Sequence, residues 1–182
     1  MEIVKLEDNM NNNLTEDFVL KKAGDGGKIL VKCKRTGEIV IPDELNITEI
    51  GSGAFKKSLF KKNEITKIES NTVKTVKNAA FKGCSSLKTA SFPKLETIEA
   101  QGFDDCVSLE SVDFPKVKTL GRKAFDDCSK LVTVSFPELE TIGVEAFDDC
   151  LNLENVNFPK VKTVKKDAFK GCIRLKNMDF LN

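Results

Sequence analysis

The sequence contains no histidine, no tyrosine and no tryptophan. Without His there are no histidine triads, no His-ligated zinc sites and no imidazole acid/base chemistry, which removes most hydrolytic mechanisms. Without Tyr and Trp, the aromatic anchors that dominate many interfaces fall to the 13 Phe. An excess of charge is also missing: 29 Lys and Arg stand against 28 Asp and Glu, for a net charge of +1. Nucleic acid, which selects a strongly basic surface, is therefore not an expected partner. No run approaches the roughly 18 apolar residues of a membrane span, so no membrane insertion is expected. Met1 to Leu20 carries Glu2, Glu7, Asp8, Glu16 and Asp17 where an export leader needs a basic start and an apolar middle. On that reading no signal peptide is present, and a cytoplasmic home stays open. What remains is 182 residues at 40% hydrophobic and 31% charged content, enough for one domain that buries roughly 70% of its unfolded surface.

That content is periodic. Phe81, Phe103, Phe125, Phe147 and Phe169 are each 22 residues apart, as are Cys84, Cys106, Cys128, Cys150 and Cys172. The same interval relates Leu87 to Leu175, Phe92 to Phe180 and Pro93 to Pro159. Each unit reads A/G-F-x-x-C-x-x-L-x-x-A/V/M-x-F-P-x-L/V-x-x-I/L/V, with apolar residues on one side only. The alternation Val112, Asp113, Phe114 predicts a short strand with one buried face. Pro115, lacking an N–H, predicts the end of that strand. Val117 and Leu120 then predict a second strand or turn on the opposite wall, so that each unit makes one coil.

Upstream, Ile47, Ile50, Ala54 and Phe55 match Leu95, Ile98, Gly102 and Phe103, and Ile65 and Ile68 match Leu87 and Ala90 after a four-residue insertion around Leu59 to Lys62. Ile39, Ile41 and Pro42 match Val112, Phe114 and Pro115. The array accordingly starts near residue 37 and runs to 182, with no evident C-terminal cap. Residues 1–36 form an N-terminal cap: Asn9 to Asn13 as a flexible lead, then a β-hairpin turning at Gly24-Asp25-Gly26-Gly27. The fold class expected is a β-rich solenoid of stacked 22-residue coils with a parallel sheet on the concave side.

The signature Ala124-Phe125-Asp126-Asp127-Cys128-Ser129-Lys130-Leu131 through Phe136-Pro137, followed by Ile142-Gly143, resembles the BspA-like (Treponema pallidum type) class of leucine-rich repeat over residues 37–182. The resemblance implies a curved leucine-rich-repeat superhelix, found in surface or secreted proteins of bacteria and some protists, acting in cell adhesion by binding host or matrix proteins.

Three columns carry chemistry-bearing side chains. The five in-register Cys point parallel, which suits a ladder of buried thiols better than disulfides, and they lack the paired spacing of a zinc site. The pairs Asp104-Asp105, Asp126-Asp127 and Asp148-Asp149 read as solvated turns, with calcium as the alternative, and are flanked by Lys82-Gly83 and Lys170-Gly171. Lys74, Glu96, Lys118, Glu140 and Lys162 alternate in sign, a pattern that fixes register. No metal and no cofactor is called for.

The first strand puts small polar residues outward: Thr89, Ser111, Thr133 and Asn155 in one column, continued by Asn177, and Ser91, Asp113, Ser135 and Asn157 in the next, continued by Asp179. In a solenoid this face is the concave wall where partners lie. Lys88, Glu110, Glu154 and Lys176 frame its rim. The expected function is a non-catalytic protein-binding module, its partner a host or matrix protein or a glycan. The alternative is a structural spacer within a larger surface protein. The uncapped C-terminal edge is a further place for self-association.

Overall fold

An apolar stripe that recurs once per coil is buried only by the coil stacked on it. The computed structural model describes residues 17–55 and 64–176, and it has this construction. The expectations placed on Asn9 to Asn13, on the insertion at Leu59 to Lys62 and on Asn177, Asp179 and the C-terminal edge beyond them lie outside the described residues.

Strands β1 (Phe18–Lys22) and β2 (Lys28–Cys33) form the antiparallel hairpin at one end. Gly26 takes φ +82° at its tip, and Asp25 accepts hydrogen bonds from the Gly27 N–H and the Thr48 hydroxyl, both at 3.0 Å, tying the tip to the first coil. Arg35 closes the other end of the hairpin, 2.9 Å from Asp17 and 5.1 Å above the Phe18 ring.

The coils then lay down two parallel sheets. The first contains β3 (Gly37–Val40), β5 (Ile65–Glu69), β7 (Thr89–Ser91), β9 (Ser111–Asp113), β11 (Thr133–Ser135) and β13 (Asn155–Asn157). The second takes the hairpin and β4 (Ile47–Ile50), β6 (Thr75–Val76), β8 (Thr97–Ile98), β10 (Thr119–Leu120), β12 (Thr141–Ile142) and β14 (Thr163–Val164). The second sheet is continuous over eight strands, whereas the first divides into β3-β5-β7-β9 and β11-β13. The regular strands β7, β9, β11 and β13 are short because Pro93, Pro115, Pro137 and Pro159 stand two residues beyond the last residue of each.

Between the sheets, two columns of rings fill the interior. Phe81, Phe103, Phe125, Phe147 and Phe169 stack at centroid distances of 4.8–5.4 Å, and Phe92, Phe114, Phe136 and Phe158 at 5.6–6.2 Å. Each buried Phe contributes about 1.5–3 kcal/mol from burial, and each ring pair about 0.5–1.5 kcal/mol more. None of the six cysteines is disulfide-bonded. The Cys106 and Cys128 thiols donate at 3.2 Å to the carbonyl oxygens of Phe81 and Phe103 in the preceding coil, and Cys150 does the same to Phe125 at 3.1 Å. The Cys column is thus the buried ladder its spacing predicts.

Two residues per coil take left-handed backbone and turn the chain around each A-F pair. One column is Ala79, Gln101, Lys123, Glu145 and Asp167, with φ from 52° to 60°. The other is Gly83, Asp105, Asp127, Asp149 and Gly171, with φ from 51° to 74°. Gly holds the two ends of the second column and Asp its three middle positions because both tolerate this region. Inter-coil hydrogen bonds such as Asp105 N–H to the Asp126 carbonyl, 2.9 Å, hold these turns.

Candidate functional site

The eight small polar residues come together as the period of 2 requires. Parallel pairing sets Thr89 beside Ser111 and Ser91 beside Asp113, and Thr133 beside Asn155 and Ser135 beside Asn157. Between the two columns, Ala90 and Val134 point inward and are buried, so the outward face has no apolar member. Neighbouring coils bond across it: the Ser91 hydroxyl donates to Asp113 Oδ2 at 3.2 Å, and the Asn157 amide donates to Ser135 Oγ at 3.0 Å. At the rim, Lys176 lies 2.6 Å from Glu154 and, through that hydrogen bond, holds its carboxyl below the usual range.

The wall differs from the sequence expectation in two respects. It extends through β5 and β3, where Lys67 sits beside Thr89 and Glu69 beside Ser91, and where Glu38 and Val40 follow. Lys67 and Glu69 form a 2.9 Å ion pair, and Val40 is 60% exposed. The match of Ile39 to Val112 and Ile68 to Ala90 already carried this signal in the outward neighbours of those residues. The wall is also divided, because β9 and β11 exchange no ladder bonds. Glu110 and Glu154 N–H groups donate to the Lys88 and Val132 carbonyls, but no such bond joins Val132 to Glu110. In the second sheet the coils lie close on both sides of this point: a Cβ on Gly143 would lie 2.5 Å from the Gly121 carbonyl carbon and oxygen, and one on Gly121 2.6 Å from the Glu99 carbonyl carbon.

The acidic turns are only half solvated. Asp104, Asp126 and Asp148 are buried, while Asp105, Asp127 and Asp149 occupy the left-handed position. Asp104 accepts from the Gln101 amide at 2.7 Å and pairs with Lys82; Asp126 accepts from Lys123 at 2.7 Å. Burial pushes the Asp126 carboxyl above the usual range against the opposing pull of Lys123. Asp148 has Lys170 at 3.5 Å, and its Oδ1 has no hydrogen-bond partner among the described residues. Asp104, Asp105, Asp126 and Asp127, with Lys82 and Lys123, border a shallow cavity of about 380 Å³. Among the described residues, no three carboxylate or thiol groups converge as ligands would. The flanking lysines do cap the acidic column, as their positions predict. The sign-alternating column forms bridges at Glu96–Lys118, 3.6 Å, and Glu140–Lys162, 2.9 Å, while Lys74 turns to Asp25 at 3.5 Å. Among the described residues, no helix is long and apolar enough to cross a membrane.

The geometry is thus a repeating scaffold of stacked coils, and comparison with known proteins agrees on the fold. A leucine rich cell surface protein of Faecalibacterium prausnitzii superposes with a TM-score of 0.72 at 24% identity, over 85% of this chain and 45% of that one. The present chain therefore spans less than half the length of that protein. The T. pallidum leucine rich repeat protein superposes with a TM-score of 0.69 at 23% identity, over 90% of both chains. A leucine-rich repeat protein of Bacteroides ovatus gives 0.66 at 32% identity, over 79% of this chain and 36% of that one. No curated protein matches the sequence. Residues 48–176 match six copies of the BspA type leucine rich repeat region. With six copies of the repeat along most of its length, the chain belongs to the BspA type leucine rich repeat family.

Proposed function

We propose that the chain is a non-catalytic recognition module that holds an extended segment of a partner protein along the wall of Thr89, Ser91, Ser111, Asp113, Thr133, Ser135, Asn155 and Asn157. The observation that carries this is the register, which repeats the same small hydroxyl, amide and carboxylate groups strand after strand. Catalysis uses unlike groups converging in a pocket. Here like groups run in lines, which suits many modest hydrogen bonds spread over a long contact. The cell-surface character of the F. prausnitzii protein supports display outside the cell, where a host or matrix protein or a glycan is the occupant met.

The test is capture by immobilised chain, using purified matrix proteins and a glycan array as separate probes. Wild type is expected to retain a protein, and the triple variant Thr133→Lys, Ser135→Lys, Asn155→Lys to release it while melting at the wild-type temperature. Equal capture by wild type and variant overturns the assignment of the wall. Glycan capture without protein capture overturns the partner class.

A further inference from the structure

Counting charges coil by coil exposes a second order in the array. Residues 71–92 hold four basic and no acidic side chains; 93–114 hold one basic and six acidic; 115–136 hold five basic and two acidic; 137–158 hold six acidic and no basic. Residues 159–176 hold seven basic and one acidic. Net charge therefore changes sign at every step, and ion pairs such as Lys77–Glu99, Lys118–Glu96 and Lys162–Glu140 join unlike neighbours. One column escapes this compensation. Asp105, Asp127 and Asp149 stack in successive coils at the left-handed position, and none of them forms an ion pair among the described residues. The lysines beside the acidic turns go to the inner acids instead: Lys82 to Asp104, Lys123 to Asp126 and Lys170 to Asp148. Burial, and then the charges of Asp105 and Asp149, hold the Asp127 carboxyl above the usual range.

Exposed apolar side chains of the same coils lie alongside. Val107 and Leu151, two residues after Asp105 and Asp149, are 38% and 42% exposed. Ser129 stands between them, its hydroxyl donating to the Val107 carbonyl at 3.4 Å and its own carbonyl accepting from the Asn152 amide at 2.7 Å. Three residues further on, Val132 is 44% exposed and sits between Glu110 and Glu154 in its column. Its N–H donates to nothing among the described residues, whereas those of Glu110 and Glu154 bond at 2.8 and 2.9 Å. Glu154 holds Lys176; Glu110 is exposed and has no ion pair among the described residues. Apolar residues scattered singly over a surface are ordinary. These three share one flank of three adjacent coils, and over 104–110, 126–132 and 148–154 that flank carries eight acidic residues against Lys130 alone. Described coils lie on both sides of it.

We infer that this flank is a docking surface for a basic, apolar segment of a partner protein. Lys or Arg side chains of the segment meet Asp105, Asp127 and Asp149, its apolar side chains cover Val107, Val132 and Leu151, and a backbone carbonyl accepts from the Val132 N–H. Charge selects the occupant: a neutral segment leaves the carboxylate column unanswered, and an acidic one is repelled by it. The flank adjoins the polar wall but uses none of its eight residues, so it does not rest on the function proposed for them.

The experiment uses the 182-residue chain under reducing conditions and three synthetic peptides of equal length, built of Lys and Leu, of Glu and Leu, and of Lys and Ser. The Lys/Leu peptide is expected to bind, to shift the methyl signals of Val107, Val132 and Leu151, and to slow hydrogen exchange at the Val132 N–H. The other two, lacking the charge or the apolar side chains, are expected to bind at least about tenfold more weakly. Affinity for the Lys/Leu peptide should fall about tenfold in Asp105→Asn/Asp127→Asn/Asp149→Asn, where Asn keeps the left-handed backbone, and likewise in Val107→Ser/Val132→Ser/Leu151→Ser. The wall variant Thr133→Ala/Ser135→Ala/Asn155→Ala should bind it as wild type does. Should a flank variant unfold, the methyl shifts and the Val132 protection in the wild-type chain decide. Equal binding of either comparator peptide, full affinity in either folded flank variant, shifts confined to other residues, or loss of binding in the wall variant overturns the inference. So does a dimer of the native chain that the flank variants abolish, because a second copy is then the occupant.

Discussion

Gly143 rides directly on Gly121: a Cβ at position 143 would meet the carbonyl carbon and oxygen of residue 121 at 2.5 Å. Their counterparts in other coils are Gly51, Lys77, Glu99 and Lys165, so the column admits a side chain at three of its six positions. The requirement belongs to a run of coils, because a Cβ on Gly121 would likewise meet the Glu99 carbonyl carbon and the Ala100 nitrogen at 2.6 Å. Gly143→Ala should therefore destabilise by about 1–3 kcal/mol, as overpacking against backbone does. Lys165→Ala should change stability by less than about 0.5 kcal/mol. Chemical denaturation of the two variants checks this, and equal effects would show that the coils can separate freely there.

The same pair of coils parts on the other sheet. The Val132 N–H has no hydrogen-bond partner among the described residues, whereas Glu110 and Glu154 N–H groups bond at 2.8 and 2.9 Å. Hydrogen exchange followed by NMR should find Val132 exchanging faster than both. Equal protection at the three amides would mean that the first sheet is continuous in solution.

The thiols should divide by position. Burial pushes the Cys106 and Cys128 thiols well up, while the neighbouring Cys150 lowers that of the half-buried Cys172. An alkylating agent near neutral pH should label Cys172 before Cys106 or Cys128, which react on unfolding. Cys128→Ala, which removes the bond to Phe103, should cost about 1–2 kcal/mol. Cys128→Ser, which keeps a donor, should fall between.

Asp126 gives a pH dependence of defined sign. Its folded carboxyl titrates above its unfolded value because burial disfavours the charge, so protonation favours the folded state. Relative to Asp126→Asn, wild type should gain stability as pH falls from neutral through the raised value toward the unfolded one near 3.8, and the gain should be complete below it. Thermal melts of both proteins from pH 7 to pH 4 test the difference; a constant gap would place Asp126 in water. Working with the difference removes Glu140 and Glu154, whose carboxyls Lys162 and Lys176 lower and which lose their contribution on acidification.

The fold was legible because a 22-residue period states the same fact several times: Phe103, Cys106, Leu109 and Phe114 each recur in register, and only stacking buries all four columns. The polar wall followed from alternation around Val112 and Val134. Other features depended on relations that a column does not display. Asp104, Asp126 and Asp148 looked like solvated acids and are buried, while Gly83 and Gly171 marked the left-handed turn that Asp105, Asp127 and Asp149 share. Nothing in Thr133 or Ser135 announces the gap between β9 and β11. Val132, the apolar member of a column otherwise charged, coincides with it.

The sign change from coil to coil limits how such a chain can vary in length. Over residues 71–176 the coils carry net +4, −5, +3, −6 and +6, so duplicating one of them, or deleting one from 93–158, sets like-charged neighbours in contact, whereas inserting or removing two adjacent coils together leaves the alternation intact. The unit that repeats in charge as well as in shape is therefore a pair of coils, and its two members are not interchangeable.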